Sequence, residues 1–378
     1  MKNIFILVLL LLLFSEYSVG QVNIRKRFNL NVHIEGIDTA VISIGSFFSK
    51  GYEIDKKNIK INKGNCEFNG FISHPFNFRL RLNIHGQEYL SRFFYVDYKS
   101  DTQYINISVD SFSTQKIAVN NSVFNSEYLI SFLEYTKNIE YNIQNWPVKS
   151  EVVVNDIENR SYKDSLQNEF NKLLIHKDSL ILLYAMHNPD SYVALWELYT
   201  RFSLKGYSII YEDAFSFLDE NLKKSLIGID FAQKLIEAKQ LTIGKKFPSI
   251  LFLKLDGSEQ MINYADYKYT LIDFWYSYCG PCIKEFPDLI NIYKSFKNIG
   301  FNVVSVSTDR KEDVKNYYNA INKYNLVWDH RWDRNGIISA ILIINSFPTN
   351  FLVDQKGTIV AKNIRPNQLV HFLTQKLK

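Results

Sequence analysis

Two cysteines separated by two residues, Cys279 and Cys282, are the side chains of this 378-residue sequence best suited to covalent chemistry. A mostly apolar run at 269–275 precedes them and has the length and composition of a strand. After Cys282, apolar residues recur every three or four positions, which predicts a helix that buries one face. The pair therefore lies where a strand ends and a helix begins, and a C-x-x-C at that place indicates a redox dithiol.

The spacing predicts different tasks for the two sulfurs. Unpaired backbone N–H groups and the macrodipole at the helix start favour a thiolate at Cys279, so we expect Cys279 to be the nucleophile. Cys282 lies about one turn further along the helix, within disulfide reach. We expect it to attack a mixed disulfide formed at Cys279 and to release the reduced substrate.

The sequence around this pair resembles the TlpA/ResA-like exported thiol-disulfide oxidoreductases of the thioredoxin fold. The matching tracts are Phe-Trp at 274–275, Cys-Gly-Pro-Cys-Ile-Lys-Glu-Phe-Pro at 279–287 and Asn-Ser-Phe-Pro-Thr-Asn-Phe-Leu-Val-Asp at 345–354. They occur in the family's order, and Gly357 follows in the last hairpin. The resemblance implies an α/β thioredoxin-like domain over residues 242–378. It also implies a protein-disulfide reductase with a Cys279–Cys282 redox disulfide and with no metal or other cofactor.

The resemblance implies roles for two acidic residues. Asp273 matches the buried aspartate of thioredoxin and could take the proton from Cys282; the alternative is a boundary carboxylate that faces water. Glu285 matches the acidic position of the family motif and is expected near the active site, with a solvated helix glutamate as the alternative. The division of labour between the two acids stays open.

Four residues are expected to form the substrate-binding surface: Trp275, Tyr278, Phe347 and Pro348. Pro348 falls in the family's cis-proline tract. A cis bond there would expose the Phe347 backbone, so that an extended substrate segment could pair with it. Tyr278 stands where the family more usually has Trp, which keeps an aromatic wall and adds a hydroxyl.

The first twenty residues predict export. Lys2, the apolar run at 4–14 and the small residues at 18–20 have the order of a signal peptide, which we expect to be cleaved before Gln21. The run is shorter than the roughly 20 residues of an ordinary span, and an uncleaved anchor is the alternative. We therefore expect a periplasmic or cell-envelope protein that acts on exported protein disulfides and receives electrons from a membrane donor. Whether it touches the membrane itself stays open.

Residues 21–241 predict two further regions. Period-two alternation predicts an all-β, sandwich-like domain over 21–119, and helical periodicity predicts a connector over 120–241. Within the connector, a further helix is expected to start at Phe215, with Phe217, Leu218 and Leu222 among its apolar residues. Net charge is +5 with acids and bases interleaved, which does not indicate a nucleic-acid surface.

The remaining cysteine and three histidines have ordinary interpretations. Cys66 is expected to be a small core residue. His176 and His187 are expected to be plain helix residues, because metal-ligand partners are not spaced around them. His330 is expected to lie in an insertion loop, again without a metal.

Two other functions stay open at this point. A thiol peroxidase is one, because peroxiredoxins share the fold, although that chemistry requires one activated cysteine in its own loop rather than a vicinal dithiol. The other is a binding or scaffolding protein, in which residues 21–240 hold a partner and the dithiol is secondary.

Overall fold

The structure is a computed structural model that describes residues 25–46, 48–84, 86–91, 93–97, 102–109, 117–120, 127–146 and 160–378. The predicted signal peptide at 1–20 lies outside these ranges. The chain divides into two compact units. One runs to Tyr135 and includes Ser225–Ile227, and the other comprises Thr136–Lys224 and Gly228–Lys378. The domain boundaries predicted at 119 and 241 stay predictions.

The first unit is built mainly from short strands. They are β1 Lys26–Glu35, β2 Val41–Gly45, β3 Tyr52–Ile54, β4 Asn58–Lys60, β5 Asn65–Ile72, β6 Phe76–Ile84, β7 Gln87–Leu90, β8 Phe94–Val96, β9 Gln103–Val109 and β10 Ile117–Asn120. One sheet has the order β10-β9-β1-β5-β3, and the other has the order β4-β2-β6-β7, with β8 also paired to β6.

Alternating apolar residues hold these two sheets together. Phe28 of β1 and Phe78 of β6 are both fully buried, and their ring centroids lie 6.0 Å apart across the two sheets. This contact confirms the predicted sandwich-like arrangement. Cys66 lies half-buried in β5, and burial raises the pKa of its thiol to about 12. A thiol with so high a pKa suits packing rather than reaction.

Helices follow the strands along the chain. They are α1 Glu127–Gln144, α2 Arg160–His187, α3 Tyr192–Lys205, α4 Ile209–Phe217, α5 Glu220–Lys223 and α6 Leu226–Lys239. Ser191 caps α3, since its hydroxyl accepts a hydrogen bond from the backbone N–H of Ala194 at 3.2 Å. The helix start predicted at Phe215 is wrong. Phe215 lies inside helix α4, which starts at Ile209 and ends at Phe217, because Leu218 turns to extended backbone and buries its side chain.

The C-terminal part of the second unit contains a mixed sheet. Its strands are β11 Leu251–Leu253, β12 Glu259–Met261, β13 Tyr269–Trp275, β14 Phe301–Ser307, β15 Asp329–Trp332, β16 Thr349–Asp354 and β17 Ile359–Lys362. The accompanying helices are α7 Gly280–Phe296, α8 Val314–Tyr324, α9 Ile337–Ile341 and α10 Pro366–Leu377, with 3-10 turns at Lys297–Ile299, Lys311–Asp313 and Arg334–Gly336.

Strand β13 is an interior strand of this seven-stranded sheet, whose order is β12-β11-β15-β14-β13-β16-β17. It pairs in parallel with β14, through the crossover helix α7, and antiparallel with β16. One face of the sheet packs Leu271 and Trp275 into a core with α7, and the other face packs Ile272 and Phe274 into a second core. This arrangement confirms the predicted thioredoxin-like α/β architecture.

The predicted position of His330 is wrong. It lies in β15, beside Ser305 of β14, and is buried rather than placed in a loop. Its Nε2 lies 3.2 Å from the carbonyl oxygen of Leu326, and burial lowers the pKa of the imidazole.

The described residues contain neither a membrane-spanning helix nor a metal-binding cluster. In the ranges given above, none of the helices is both long and apolar enough to cross a bilayer. Within the same ranges, no group of three or more His, Cys, Asp or Glu side chains is arranged to hold a metal ion. His176 and His187 both lie in α2.

Candidate active site

Cys279 and Cys282 form a disulfide at the start of α7, with their Cα atoms 5.3 Å apart. Cys279 is the N-cap residue, and its Sγ accepts a hydrogen bond from the backbone N–H of Cys282 at 3.2 Å. Pro281 fits the first turn because an N–H at that position has no intrahelical acceptor. Both cysteines are almost fully buried, whereas Gly280 and Pro281 between them are exposed. The disulfide thus lies just beneath an exposed turn.

Asp273 lies on the same face of β13 as Leu271 and Trp275, the face that packs against α7. Its side chain is buried, as the match to thioredoxin implies, and does not face water. Burial, together with the negative charge of Glu285, raises the pKa of the Asp273 carboxyl to about 8. A group with this pKa holds a proton at neutral pH and can exchange it close to neutrality.

Glu285 lies half-buried in the second turn of α7. Its pKa is raised chiefly by burial and also by the charge of Asp288, while the nearby guanidinium of Arg365 opposes the shift. Glu285 lies close enough to Asp273 for its charge to raise the pKa of the Asp273 carboxyl.

Trp275 does not fit its predicted contact with substrate. Its side chain has 0% exposure, so a docked protein cannot reach it in this conformation. The indole instead packs edge-on against Phe286 at 5.1 Å and Tyr317 at 5.8 Å between ring centroids. The residue is therefore part of the core beneath the cysteines.

The other three predicted contact residues have accessible surface. Tyr278 is 64% exposed, and its hydroxyl is hydrogen-bonded to the side-chain amide of Asn316. The Phe347–Pro348 bond is cis, as the family tract implies. Phe347 packs edge-on against Tyr276 with ring centroids 5.5 Å apart, which brings the cis-proline tract to the dithiol loop. These residues can form one surface around the turn that carries the disulfide.

Asp309 is the residue that sequence reasoning missed. It follows β14, is buried, and accepts hydrogen bonds from Ser277 and Ser307. A signal was present in the sequence, because Ser307 and Asp309 directly follow the mostly apolar run at 301–306, which has the length and composition of a strand. The carboxyl ends of neighbouring parallel strands meet at one edge of a sheet, where sites usually form.

Several known proteins similar to this chain are thiol-disulfide oxidoreductases. Residues 243–362 match the AhpC/TSA family. A thiol-disulfide oxidoreductase ResA of Bacillus cereus is 28% identical over 129 residues, which cover 34% of this chain and 73% of that protein. ResA of Bacillus subtilis is 25% identical over 122 residues, which cover 32% of this chain and 67% of that protein.

A solved structure gives a similar match. The thioredoxin domain of a thiol-disulfide oxidoreductase from Bacteroides vulgatus is 33% identical, covers 36% of this chain and 99% of its own, and has a TM-score of 0.34. The family match lies wholly within the second unit of the present chain.

Replacing Asp273 with Asn should flatten the pH dependence of stability in the oxidised protein. The native carboxyl holds its proton up to a pKa of about 8, whereas an unfolded Asp releases it near about 3.9. Between these values the native state binds the extra proton, so wild type loses up to about 1.4 kcal/mol of unfolding free energy per pH unit. The variant should lack this component when urea unfolding is measured from about pH 5 to about pH 8.

The matched control is Asp213→Asn, which removes an exposed carboxylate from α4. It should follow the wild-type profile. If the free energy of unfolding changed with pH in the same way in wild type and Asp273→Asn, the assignment of a proton to the buried carboxyl would be contradicted.

Proposed function

The chain belongs to the TlpA/ResA-like thiol-disulfide oxidoreductases of the thioredoxin fold, with its AhpC/TSA match at 243–362, and we propose that it is an exported reductant of protein disulfides. The observation that carries the proposal is the Cys279–Cys282 disulfide at the start of α7, with one sulfur capping the helix. Thiol-disulfide exchange needs both features, since one thiolate must be stabilised and a second thiol must lie within bonding distance.

The reaction begins from the dithiol form. The Cys279 thiolate attacks one sulfur of a substrate disulfide, whose S–S bond breaks, and the leaving thiolate takes a proton from solvent. The N–H of Cys282, which lies 3.2 Å from Cys279 Sγ in the oxidised form, favours negative charge on this sulfur. The product is a mixed disulfide between Cys279 and the substrate.

Resolution transfers the electrons. Cys282 loses its proton and attacks Cys279 Sγ, the mixed disulfide breaks, and the substrate leaves as a dithiol after taking a second proton. The substrate gains two electrons and two protons, and the protein ends with the Cys279–Cys282 bond.

Asp273 in its ionised form, whose share grows as the pH rises towards about 8, is the proposed acceptor of the Cys282 proton. Its carboxyl has a pKa of about 8, which is close to the value of about 8.5 for an ordinary thiol. Proton transfer between groups of similar pKa has little energetic cost in either direction. Glu285 contributes by its charge, which helps to hold the Asp273 pKa high.

The dipeptide between the cysteines supports reduction as the direction of electron flow. Gly280-Pro281 is the dipeptide of thioredoxin, a reductant with a potential of about −270 mV, whereas the oxidant DsbA lies near about −120 mV. A reductant that works outside the cytoplasm must be reduced again after each turnover. The proposal therefore includes a membrane electron donor that reduces the Cys279–Cys282 bond. Substrates would dock as extended segments on Tyr278, Phe347 and Pro348.

The first test compares single cysteine variants on insulin disulfides with dithiothreitol as donor. Wild type should accelerate reduction, and Cys279→Ser should fall to the uncatalysed rate because the attacking sulfur is gone. Cys282→Ser should accumulate a covalent complex with substrate, visible by mass, because the first attack proceeds without resolution. Cys66→Ser is the control and should match wild type, since Cys66 lies in the other unit.

Hydrogen peroxide provides the competing assay. Consumption of peroxide by wild type at a rate well above insulin reduction would overturn the reductase proposal in favour of a thiol peroxidase. Activity of wild type in neither assay would favour the binding or scaffolding alternative.

Proton transfer is tested with amide variants. Asp273→Asn should slow resolution of a preformed mixed disulfide at Cys279 by roughly a hundredfold, the usual size of one general-base contribution. In wild type the resolution rate should rise with pH up to about 8, where Asp273 becomes charged. Glu285→Gln should move this midpoint to lower pH, because a neighbouring negative charge is removed.

Quenched-flow mass spectrometry measures the decay of the mixed disulfide. Glu312→Gln, an exposed acid before α8, is the control and should leave the profile unchanged. An unaltered rate and midpoint in both Asp273→Asn and Glu285→Gln would remove these acids from the mechanism.

Export is tested by intact mass. Protein recovered from its native cell envelope should begin at Gln21, because residues 1–20 have the order of a cleaved signal. Full-length chain that begins at Met1 in the membrane fraction would support the anchor, and full-length chain in the cytoplasm would contradict export.

A further inference from the structure

A buried carboxylate lies beside the loop that carries the cysteines. The side chain of Asp309 is 4% exposed, and its two oxygens accept hydrogen bonds from three groups. The backbone N–H of Ser277 donates at 2.9 Å, the Ser277 hydroxyl at 2.6 Å and the Ser307 hydroxyl at 2.6 Å. Among the described residues, no Lys or Arg forms an ion pair with this carboxylate. Its negative charge is therefore matched by hydrogen-bond donors of the loop and of β14.

Further hydrogen bonds connect the loop that begins at Trp275 to the end of β14. The carbonyl oxygen of Trp275 accepts from the backbone N–H of Thr308 at 2.9 Å and from its hydroxyl at 3.2 Å. The carbonyl oxygen of Tyr276 accepts from the N–H of Cys279 at 2.9 Å, which closes the turn into the helix. Ser277 stands inside this turn, two residues before Cys279. Fixing Ser277 thus fixes the path by which the chain reaches the first sulfur.

We propose that Asp309 is a positioning residue for the dithiol, acting through Ser277 to hold Cys279 Sγ where Cys282 can attack it. The inference rests on the proposed exchange reaction, and it adds a residue that the motif around the cysteines does not contain. Asp309 touches neither substrate nor sulfur in this assignment. It acts by keeping the loop in the conformation of the reactive turn.

The physical reason lies in the resolving step. Attack of Cys282 on the mixed disulfide is intramolecular, so its rate depends on how closely the two sulfurs are held in line. A loop that samples other conformations lowers the effective concentration of the Cys282 sulfur at Cys279 Sγ, without changing the chemistry of either thiol. Loss of the carboxylate also leaves buried N–H and O–H donors without acceptors, which favours rearrangement of the loop.

The experiment follows the mixed disulfide between Cys279 and glutathione, which Cys282 resolves by displacing glutathione as its thiolate. Asp309→Ala should slow this step by about tenfold or more, since small misplacements of reacting groups have effects of this size. Asp309→Asn keeps one acceptor oxygen and should give an intermediate rate. Ser277→Ala removes only the hydroxyl donor and should also be intermediate. Mass spectrometry of quenched samples gives the rate for each variant.

Asp333→Ala is the matched control. Asp333 is equally buried and also accepts three hydrogen bonds, at 2.8 Å from the N–H of Ile338, 2.7 Å from the N–H of Ser339 and 2.6 Å from the Ser339 hydroxyl. It holds the start of α9 rather than the dithiol loop. Its loss should lower thermal stability as much as Asp309→Ala does, while resolution stays within about twofold of wild type.

Three results would overturn the proposal. The first is equal slowing of resolution in Asp309→Ala and Asp333→Ala. The second is a resolution rate in Asp309→Ala that equals the wild-type rate. The third applies if Asp309→Ala does not fold, and is a wild-type resolution rate in both Asp309→Asn and Ser277→Ala. The glutathione reaction requires no protein substrate. Failure of wild type to reduce insulin would therefore reject the proposed function without deciding the role of Asp309.

Discussion

The hydrogen bond from the N–H of Cys282 to Cys279 Sγ is the interaction on which the proposed chemistry depends, and the surrounding fold places it. It exists only if helix α7 begins at that sulfur, and helix α7 begins there only if β13 ends four residues earlier. Strand β13 can do this because its residues from Thr270 to Trp275 are buried and it is paired on both sides. The sheet and its crossover helix therefore hold a helix start in place and leave the turn around it exposed.

Two buried acids near this helix start have different environments. Asp273 lies beside an apolar core, and burial keeps a proton on it up to a pKa of about 8. Asp309 accepts three hydrogen bonds from serine and backbone donors, an environment suited to a carboxylate. The first environment suits proton exchange with a thiol, and the second suits mechanical restraint of a loop. The two aspartates thus suit different tasks because their neighbouring groups differ.

Aromatic residues around the dithiol divide in a similar way. Trp275 lies in the core against Phe286 and Tyr317, whereas Tyr278, three residues later, is largely exposed. Since the strand ends between them, the first side chain points into the sheet–helix interface and the second follows the turn outward. A protein that docks on this surface would therefore meet tyrosine and the cis-proline tract, and not the tryptophan that precedes them.

Local patterns determined much of this protein from the sequence alone. The strand at 269–275, the helix start at Cys279, the redox pairing of the two cysteines and the alternation of the β-sandwich all depend on residue types a few positions apart. Tertiary structure decided the burial of Asp273 and Trp275 and the place of His330 inside a strand. It also brought Asp309 to Ser277 across 32 positions of sequence. The reason is that period and spacing describe one segment, whereas these contacts depend on which strand pairs beside β13 and which helix covers it.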